Sequence, residues 1–249
     1  MPRLEQLLAR NLGCSRANAR RLVLRHEVTD TLGHHLADPR LEIQSSALPL
    51  VIRVDDRDVA LHDAAHVVLN KPVGCVTALA DPVHPVASSF VRNAPLANEL
   101  RAVGRLDLDT SGLLLWTTDG GWLQRLTHPK RRVPRTYQAA LVRSFTPPSG
   151  TLVLHDGHQP QIETLSALDA ESLHPALARP ADARVYATIT LVGGAYHEVR
   201  RIFAALDSHV LALCRVAFGD LSLPRDLPAG HWQEIAPEHV WSAVSRPSS

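Results

Sequence analysis

The sequence predicts an α+β fold. Three observations carry that reading: strand-like runs come in hairpin-like groups, few helices are placed to cross over between them, and two short amphipathic helical patterns precede the first strand. The chain has 249 residues, room for more than one domain at the usual allowance of about 100–200 residues each. Hydrophobic residues make up 45% and charged residues 20%, a balance that excludes disorder along the whole chain. No apolar run approaches the roughly 18 residues of a membrane span. Met1-Pro2-Arg3-Leu4-Glu5-Gln6 has no long apolar stretch behind it, so no signal peptide is expected. Cys14, Cys75 and Cys214 lie far apart with no CxxC pair, which argues against a disulfide framework and fits a reducing cytosol.

The first helix is predicted from Leu4, Leu7, Leu8 and Leu12, spaced to share one buried face, with Gly13 placed to end it. Ser15 is a natural N-cap for a second helix whose inward residues are Ala19, Leu22 and Val23. Arg16 and Arg20, then Arg21 and Arg25, are four apart, so its outer face presents paired guanidinium groups. Short strands and turns follow from Glu27 to Ile52. The acidic run Asp55-Asp56-Arg57-Asp58 reads as a linker. Strands are expected at Val67–Leu69, Gly112–Trp116 and Tyr137–Val142, and an alternating one through Val185, Ala187, Ile189 and Leu191. One helix is expected over Trp122–Leu126 with Asp119 as its cap. Another runs from Tyr196 to Leu206, burying Val199, Ile202, Phe203 and Leu206. The tail Ser245–Ser249 is expected to fray.

Net charge is only +1, so any nucleic-acid role must come from local patches. Two exist. Residues 1–25 hold six arginines against Glu5 alone, and the stretch from Gly120 to His155 holds six cations and no acid. Charge alone leaves two solvated helix faces as an equal reading. Arginine nevertheless suits phosphate, because its planar fork donates two hydrogen bonds at once.

The most distinctive stretch is Gly104-Arg105-Leu106-Asp107-Leu108-Asp109-Thr110-Ser111-Gly112, running on through Leu113-Leu114-Leu115 to Thr117-Thr118-Asp119-Gly120. It sets two carboxylates, an arginine and two hydroxyls between apolar segments, the placing expected of reactive groups carried on a rigid sheet. Taken alone, it is equally a capped turn.

This run resembles the signature of the RsuA/RluB/RluE/RluF family of ribosomal RNA pseudouridine synthases. Asn70-Lys71-Pro72-x-Gly74, Arg135-Thr136-Tyr137 and His197-x-Val199-Arg200-Arg201 fall in that family's order and spacing. Leu4, Gly13, Ser15-Arg16, Ala19 and Leu22 resemble its S4 RNA-binding module. Asp81-Pro82-x-His84-Pro85 and Pro147-Pro148-Ser149-Gly150 look most like the RsuA branch, whose substrate is small-subunit rRNA.

The resemblance implies an S4-like (αL) domain over residues 1–61 and, over 62–249, a catalytic domain with a largely antiparallel mixed sheet. It implies isomerisation of one flipped-out uridine in small-subunit 16S rRNA to pseudouridine. The residues it implies are Asp107 as the catalytic carboxylate, Tyr137 as the ring that stacks on uracil, and Arg200 as the cation paired with Asp107. Leu213 would line the uracil slot. Arg105 would hold the backbone or fill the space that the base leaves, and its plainer reading is a salt bridge to Asp109. Lys71 and Thr110 are also expected at the substrate, with Thr110 and Ser111 orienting the loop through hydroxyl-to-backbone hydrogen bonds. Arg3, Arg16, Arg20, Arg21, Lys130, Arg131, Arg132 and Arg135 would contact RNA. The expected partner is ribosomal RNA or a small-subunit assembly intermediate, met by a cytoplasmic monomer.

The reaction needs no redox step or group donor, so no cofactor is expected, and no histidine pair has a metal-like companion set. Asp109 competes with Asp107, which is preferred because it directly follows Gly-Arg-Leu. There are departures from the family pattern. Arg135 stands for a lysine, Glu198 stands for a glutamine, Gly194-Ala195 lacks an arginine just before it, Glu5 replaces an aspartate, and Val28-Thr29-Asp30-Thr31 lacks an asparagine. Three other readings compete: a phosphoaspartyl enzyme built on Asp107-x-Asp109, a catalytically silent RNA-binding assembly factor, and a large-subunit rRNA pseudouridine synthase. The first wants Mg²⁺ and further acidic ligands downstream.

Overall fold

The computed structural model describes residues 1–78 and 80–236, so the expectation for Ser245–Ser249 lies outside the described residues. The chain divides into two compact units. One comprises Met1–Ala65 with Asn93–Leu100, and the other comprises His66–Arg92 with the chain from Arg101 onward.

In the first unit, α1 (Leu4–Asn11) buries Leu4, Leu7 and Leu8 completely. Gly13 follows it at φ +63°, a left-handed conformation open to glycine without strain. The Ser15 hydroxyl caps α2 (Arg16–Leu24) by accepting from the Asn18 amide at 3.2 Å. Ala19 and Val23 point into the same small core, while Arg16, Arg20, Arg21 and Arg25 are exposed. Three strands complete the unit: β1 (Val28–Thr29), β2 (Leu50–Val54) and β3 (Arg57–Leu61), paired antiparallel in that order. Arg10 is withdrawn from the basic surface, because its guanidinium pairs with Asp63 and Glu99, each at 2.8 Å.

The acidic run is a hairpin turn and not a linker. Asp55 and Asp56 sit at φ +47° and +63° between β2 and β3, and Arg53 pairs with Asp58 across the ladder at 3.2 Å. Two successive positive-φ residues make the turn that matches strand twist, and short aspartate side chains tolerate it better than most.

The second unit carries a nine-stranded mixed sheet. Its strands are β4 (His66–Lys71), β5 (Arg101–Ala102), β6 (Thr110–Thr117), β7 (Arg135–Leu141), β8 (Ile162–Leu168), β9 (Val185–Leu191), β10 (Val210–Phe218), β11 (Leu221–Ser222) and β12 (Trp232–Glu234). The main path runs β12-β4-β6-β10-β7-β9-β8, with β5 beside β6 and β11 beside β10. Among these described strands every pairing is antiparallel except β6 with β10. Two helices cover opposite faces. Asp119 caps α3 (Gly120–Thr127) by accepting from the amides of Gly121 and Trp122 at 2.7 and 3.0 Å. Trp122 and Leu126 of α3 join Val68, Leu113, Leu115 and Cys214 in one core, and Val199, Ile202 and Phe203 of α4 (Glu198–Ala205) pack on Ala139, Ile189 and Leu213 in another. Each buried Val, Leu, Ile or Phe among them contributes about 1.5–3 kcal/mol relative to leaving it in water.

β10 lies at the middle of the sheet, although its residues do not announce a strand. The run Val-Leu-Ala-Leu-Cys-Arg-Val-Ala-Phe is apolar but for Arg215 and does not alternate, because four successive residues, Ala212–Arg215, are buried on both faces. α4 starts two residues later than its spacing predicts, because His197 takes φ +49° and cannot be helical. Among the described residues no helix is long and apolar enough to cross a membrane.

Candidate active site

The loop ahead of β6 is held from behind. Lys71 is 0% exposed at the end of β4, and its ammonium donates to the carbonyls of Pro72, Asp107 and Thr110 at 3.1, 3.0 and 2.9 Å. Burial pushes its pKa below the ordinary lysine value. The Thr77 hydroxyl donates to the Leu106 carbonyl at 3.1 Å, and the Gly74 amide donates to the Leu108 carbonyl at 2.8 Å. Lys71 therefore acts behind the loop, where its three acceptors are backbone, and not in the cleft where the resemblance puts it.

Gly112 closes the loop at φ +104°. A Cβ there would collide with the Arg215 carbonyl oxygen and stand 2.8 Å from its amide nitrogen, so only glycine lets β6 and β10 approach this closely. Ser111 donates to the carbonyls of Ala176 and Leu213 at 3.1 and 3.3 Å. Thr110 is 1% exposed, and its hydroxyl is buried with no hydrogen-bond partner among the described residues, so it does not orient the loop as expected.

In front of this frame lies a cleft of about 480 Å³. It brings together Arg105, Asp107, Thr110, Tyr137, Arg200 and Leu213, residues that lie far apart in the chain. Asp107 keeps a side chain 40% exposed, with one carboxylate oxygen 3.7 Å from His197 Nε2. The His197 ring is stacked on Tyr196, their centres 3.9 Å apart. Leu213 is buried at the floor, and Tyr137 stands on β7 directly opposite Arg215 of β10.

The expected pairing of Arg200 with Asp107 is not found. Arg200 instead holds Asp109, donating to its carboxylate at 2.8 Å and to its carbonyl at 3.3 Å, with a further bond to the Val210 carbonyl at 3.2 Å. Asp109 offers two oxygens at the reach of one planar fork, and Asp107 is turned towards the cleft. This also removes the expected salt bridge of Asp109 with Arg105. Arg105 stands exposed at the lip and forms no ion pair among the described residues.

Glu198, an acid where the resembled family has an amide, does not enter the cleft as a free charge. It is 5% exposed, accepts from the Ala195 amide at 3.1 Å, and lies 2.7 Å from His158 Nε2. Glu198 thus ties the start of α4 to a neighbouring loop. Arg135 donates to the Gly193 carbonyl, and burial lowers its pKa. A second hollow of about 660 Å³ shares Thr127, Arg135, Gly194, Ala195 and Glu198 with the cleft, and Lys130, Arg132 and His128 stand around it. Arg131 is exposed beside them, and Arg3, Arg16, Arg20 and Arg21 are exposed in the first unit. Among the described residues no three His, Cys, Asp or Glu side chains group as a metal ion would need.

The sequence alone suggests no site role for His197, Tyr196 or Arg215. His197 is visible within its motif, and Arg215 is visible as one charge inside an apolar run.

Known proteins resemble this chain over most of its length. A family model described as RNA pseudouridylate synthase matches residues 65–205. The chain is 32% identical over 247 residues to the ribosomal small subunit pseudouridine synthase A of Escherichia coli strain K12, covering 97% of this chain and all of the other. It is 29% identical over 250 residues to the protein of the same name in Haemophilus influenzae, covering 97% of this chain and 99% of that one. Among solved structures, one titled as the crystal structure of pseudouridylate synthase superposes with a TM-score of 0.56 at 27% identity, covering 98% of this chain and 100% of that one.

Proposed function

Because the chain belongs to the RNA pseudouridylate synthase family, we propose that it converts a uridine of small-subunit ribosomal RNA to pseudouridine, working at the Asp107 cleft. The observation that carries this reading is the convergence of Asp107, Tyr137 and Leu213, from three separate segments, on one cleft beside a basic rim. Full-length similarity to relatives named for the small subunit supports that substrate.

The isomerisation breaks the bond between ribose C1′ and uracil N1, turns the ring, and joins C1′ to C5. No electrons or groups come from outside. Asp107 supplies the carboxylate, either attacking C1′ or taking a ribose proton, and both routes begin at the same atoms. Lys71, fixed on the carbonyls of Asp107 and Thr110, and Arg200, fixed on Asp109, hold that carboxylate in place by anchoring the loop on either side. Tyr137 offers a face for the ring to stack on, and Leu213 gives it an apolar floor. The base must leave its stack to reach this depth, and Arg105 at the lip fits the role of holding the strand or filling the gap.

Residues 1–61 fit an S4-like module, with Arg3, Arg16, Arg20 and Arg21 on the RNA backbone, and Lys130, Arg131, Arg132 and Arg135 fit the RNA path beside the cleft. The same reading has the protein acting in the cytoplasm as a monomer, on free rRNA or on an assembling small subunit.

Tritium release from rRNA carrying 5-tritiated uridine tests the proposal, with wild type and Asp107→Asn compared in metal-free buffer. Release by wild type from small-subunit RNA and by neither protein from large-subunit RNA is expected. No release from free RNA or subunit particles, together with tight salt-sensitive binding, would instead make this an RNA-binding assembly factor.

A further inference from the structure

The floor of the cleft holds a cation that the roles above leave unused. Arg215 lies on β10 two residues beyond Leu213, hence on the same strand face, and pairs in register with Tyr137 of β7. It is 1% exposed. Its Nε donates to the Leu113 carbonyl at 2.8 Å, and its Nη2 is buried with no hydrogen-bond partner among the described residues. The guanidinium carbon stands 5.4 Å from the centre of the Phe218 ring. Among the described residues Arg215 forms no ion pair.

That combination is unusual. An arginine stays charged in a protein, and moving an unpaired charge out of water carries a penalty of several kcal/mol. The neighbouring cations are engaged: Lys71 by three carbonyls, Arg200 by Asp109, and Arg135 by the Gly193 carbonyl. Arg215 lines the cleft together with the apolar Leu213 and Tyr137, and its buried Nη2 is left without a partner among the described residues. A phosphate would be met first at the rim, by the exposed Arg105. The depth and the flat, apolar neighbours fit a pyrimidine ring.

We propose that Arg215 donates to a carbonyl oxygen of uracil and takes up the negative charge that the ring acquires when it leaves the ribose. The proposal rests on the pseudouridine synthase reading. In that step the C1′–N1 bond breaks and its electron pair stays on the ring, shared among N1, O2 and O4. At the ribose, either C1′ bonds to the Asp107 carboxylate or C2′ gives its proton to it. The ring then bonds C1′ through C5 as the C1′–Asp107 bond breaks, or as Asp107 returns its proton to C2′. The C5 proton passes to solvent and N1 takes one up. Bound uridine is neutral, so a fixed cation here acts more on the transition state than on binding.

Single-turnover tritium release with Arg215→Gln and Arg215→Lys tests this, alongside RNA affinity and Tm. Arg215→Gln is expected to slow the step by about 10²–10³-fold, the usual effect of losing one donor to a developing oxyanion, with RNA affinity little changed. Arg215→Lys keeps the charge and should recover part of the rate. An Arg215→Gln rate within about threefold of wild type, or a rate loss matched by an equal loss of RNA affinity, would overturn the proposal. Should Arg215→Gln not fold, crystals of wild type with uridine 5′-monophosphate decide it. A ring carbonyl within hydrogen-bond distance of the guanidinium supports the role, and a phosphate there, or no contact, refutes it. Wild type that releases no tritium would sink the enzymatic reading itself.

Discussion

Lys71 and Arg215 are 0% and 1% exposed within the sheet, whereas Arg16, Arg20 and Arg21 on α2 and Lys130–Arg132 beside the cleft stand in solvent. The two sets carry the same charge and are built for different work. A buried cation is desolvated, so its value lies in which atoms it faces: Lys71 faces the carbonyls of Pro72, Asp107 and Thr110, and Arg215 lines the cleft. An exposed cation is screened within about 8–10 Å, so its value lies in how many there are. Substitutions should separate the two sets sharply.

Among the cations, the largest effect is expected from Lys71→Met. It leaves the carbonyls of Pro72, Asp107 and Thr110 without their donor, at about 1–3 kcal/mol for each that stays dry. Tritium release should fall to background and Tm should drop by several degrees. A variant with wild-type turnover would break the contrast at its strongest point. In Gly112→Ala the added Cβ would collide with the Arg215 backbone in a φ +104° conformation, so failure to yield soluble folded protein, read by circular dichroism and Tm, is expected.

The exposed set should behave otherwise. Combining Arg16→Ala, Arg20→Ala and Arg21→Ala should leave the single-turnover rate at saturating enzyme unchanged and Tm nearly so. RNA affinity should fall, and the log–log salt slope should become shallower by about 0.7–0.9 for each phosphate no longer neutralised. A changed rate constant at saturation would merge the two sets.

The smallest effect sharpens the comparison through pH. His66 is buried against Trp122 with Nδ1 2.8 Å from the Thr117 hydroxyl, and burial lowers its pKa below 6.5. The unfolded chain therefore binds that proton first on acidification. Stability should decline as pH falls below about 6.5, until the lowered native pKa is passed. His174, also lowered by burial, adds in the same direction. Tm against pH should be flatter in His66→Phe, and an unchanged slope would show that His66 contributes nothing to it.

Much of the fold is legible in the residues. Leu4, Leu7 and Leu8 at helical spacing, Ser15 and Asp119 as caps, and the alternation through Ala187, Ile189 and Leu191 are local signals, and the chain obeys them. What escapes a sequence reading depends on neighbours distant in the chain. The strand Val210–Phe218 does not alternate because its middle, Ala212–Arg215, is buried on both faces. Asp55 and Asp56 form a turn because β2 and β3 pair across them. The choice of Asp109 over Asp107 by Arg200 depends on how the loop is folded onto Lys71, which spacing does not encode. In the same way a lysine and an arginine in apolar company announce their oddity, but not which atoms they face.

In the proposed function Asp107 and Asp109, two residues apart, divide the labour at the cleft: Asp107, which lines it, would meet the substrate, and Asp109 holds the loop through Arg200. Single-turnover pseudouridine formation on small-subunit rRNA, with Asp107→Asn and Asp109→Asn compared at saturating enzyme, tests that division directly. Asp107→Asn should bind RNA as wild type does and form no product. Asp109→Asn, which loosens the grip of Arg200 on the loop, should retain turnover at a rate lowered by about 10–100-fold. Product from Asp107→Asn, with none from Asp109→Asn, would contradict it.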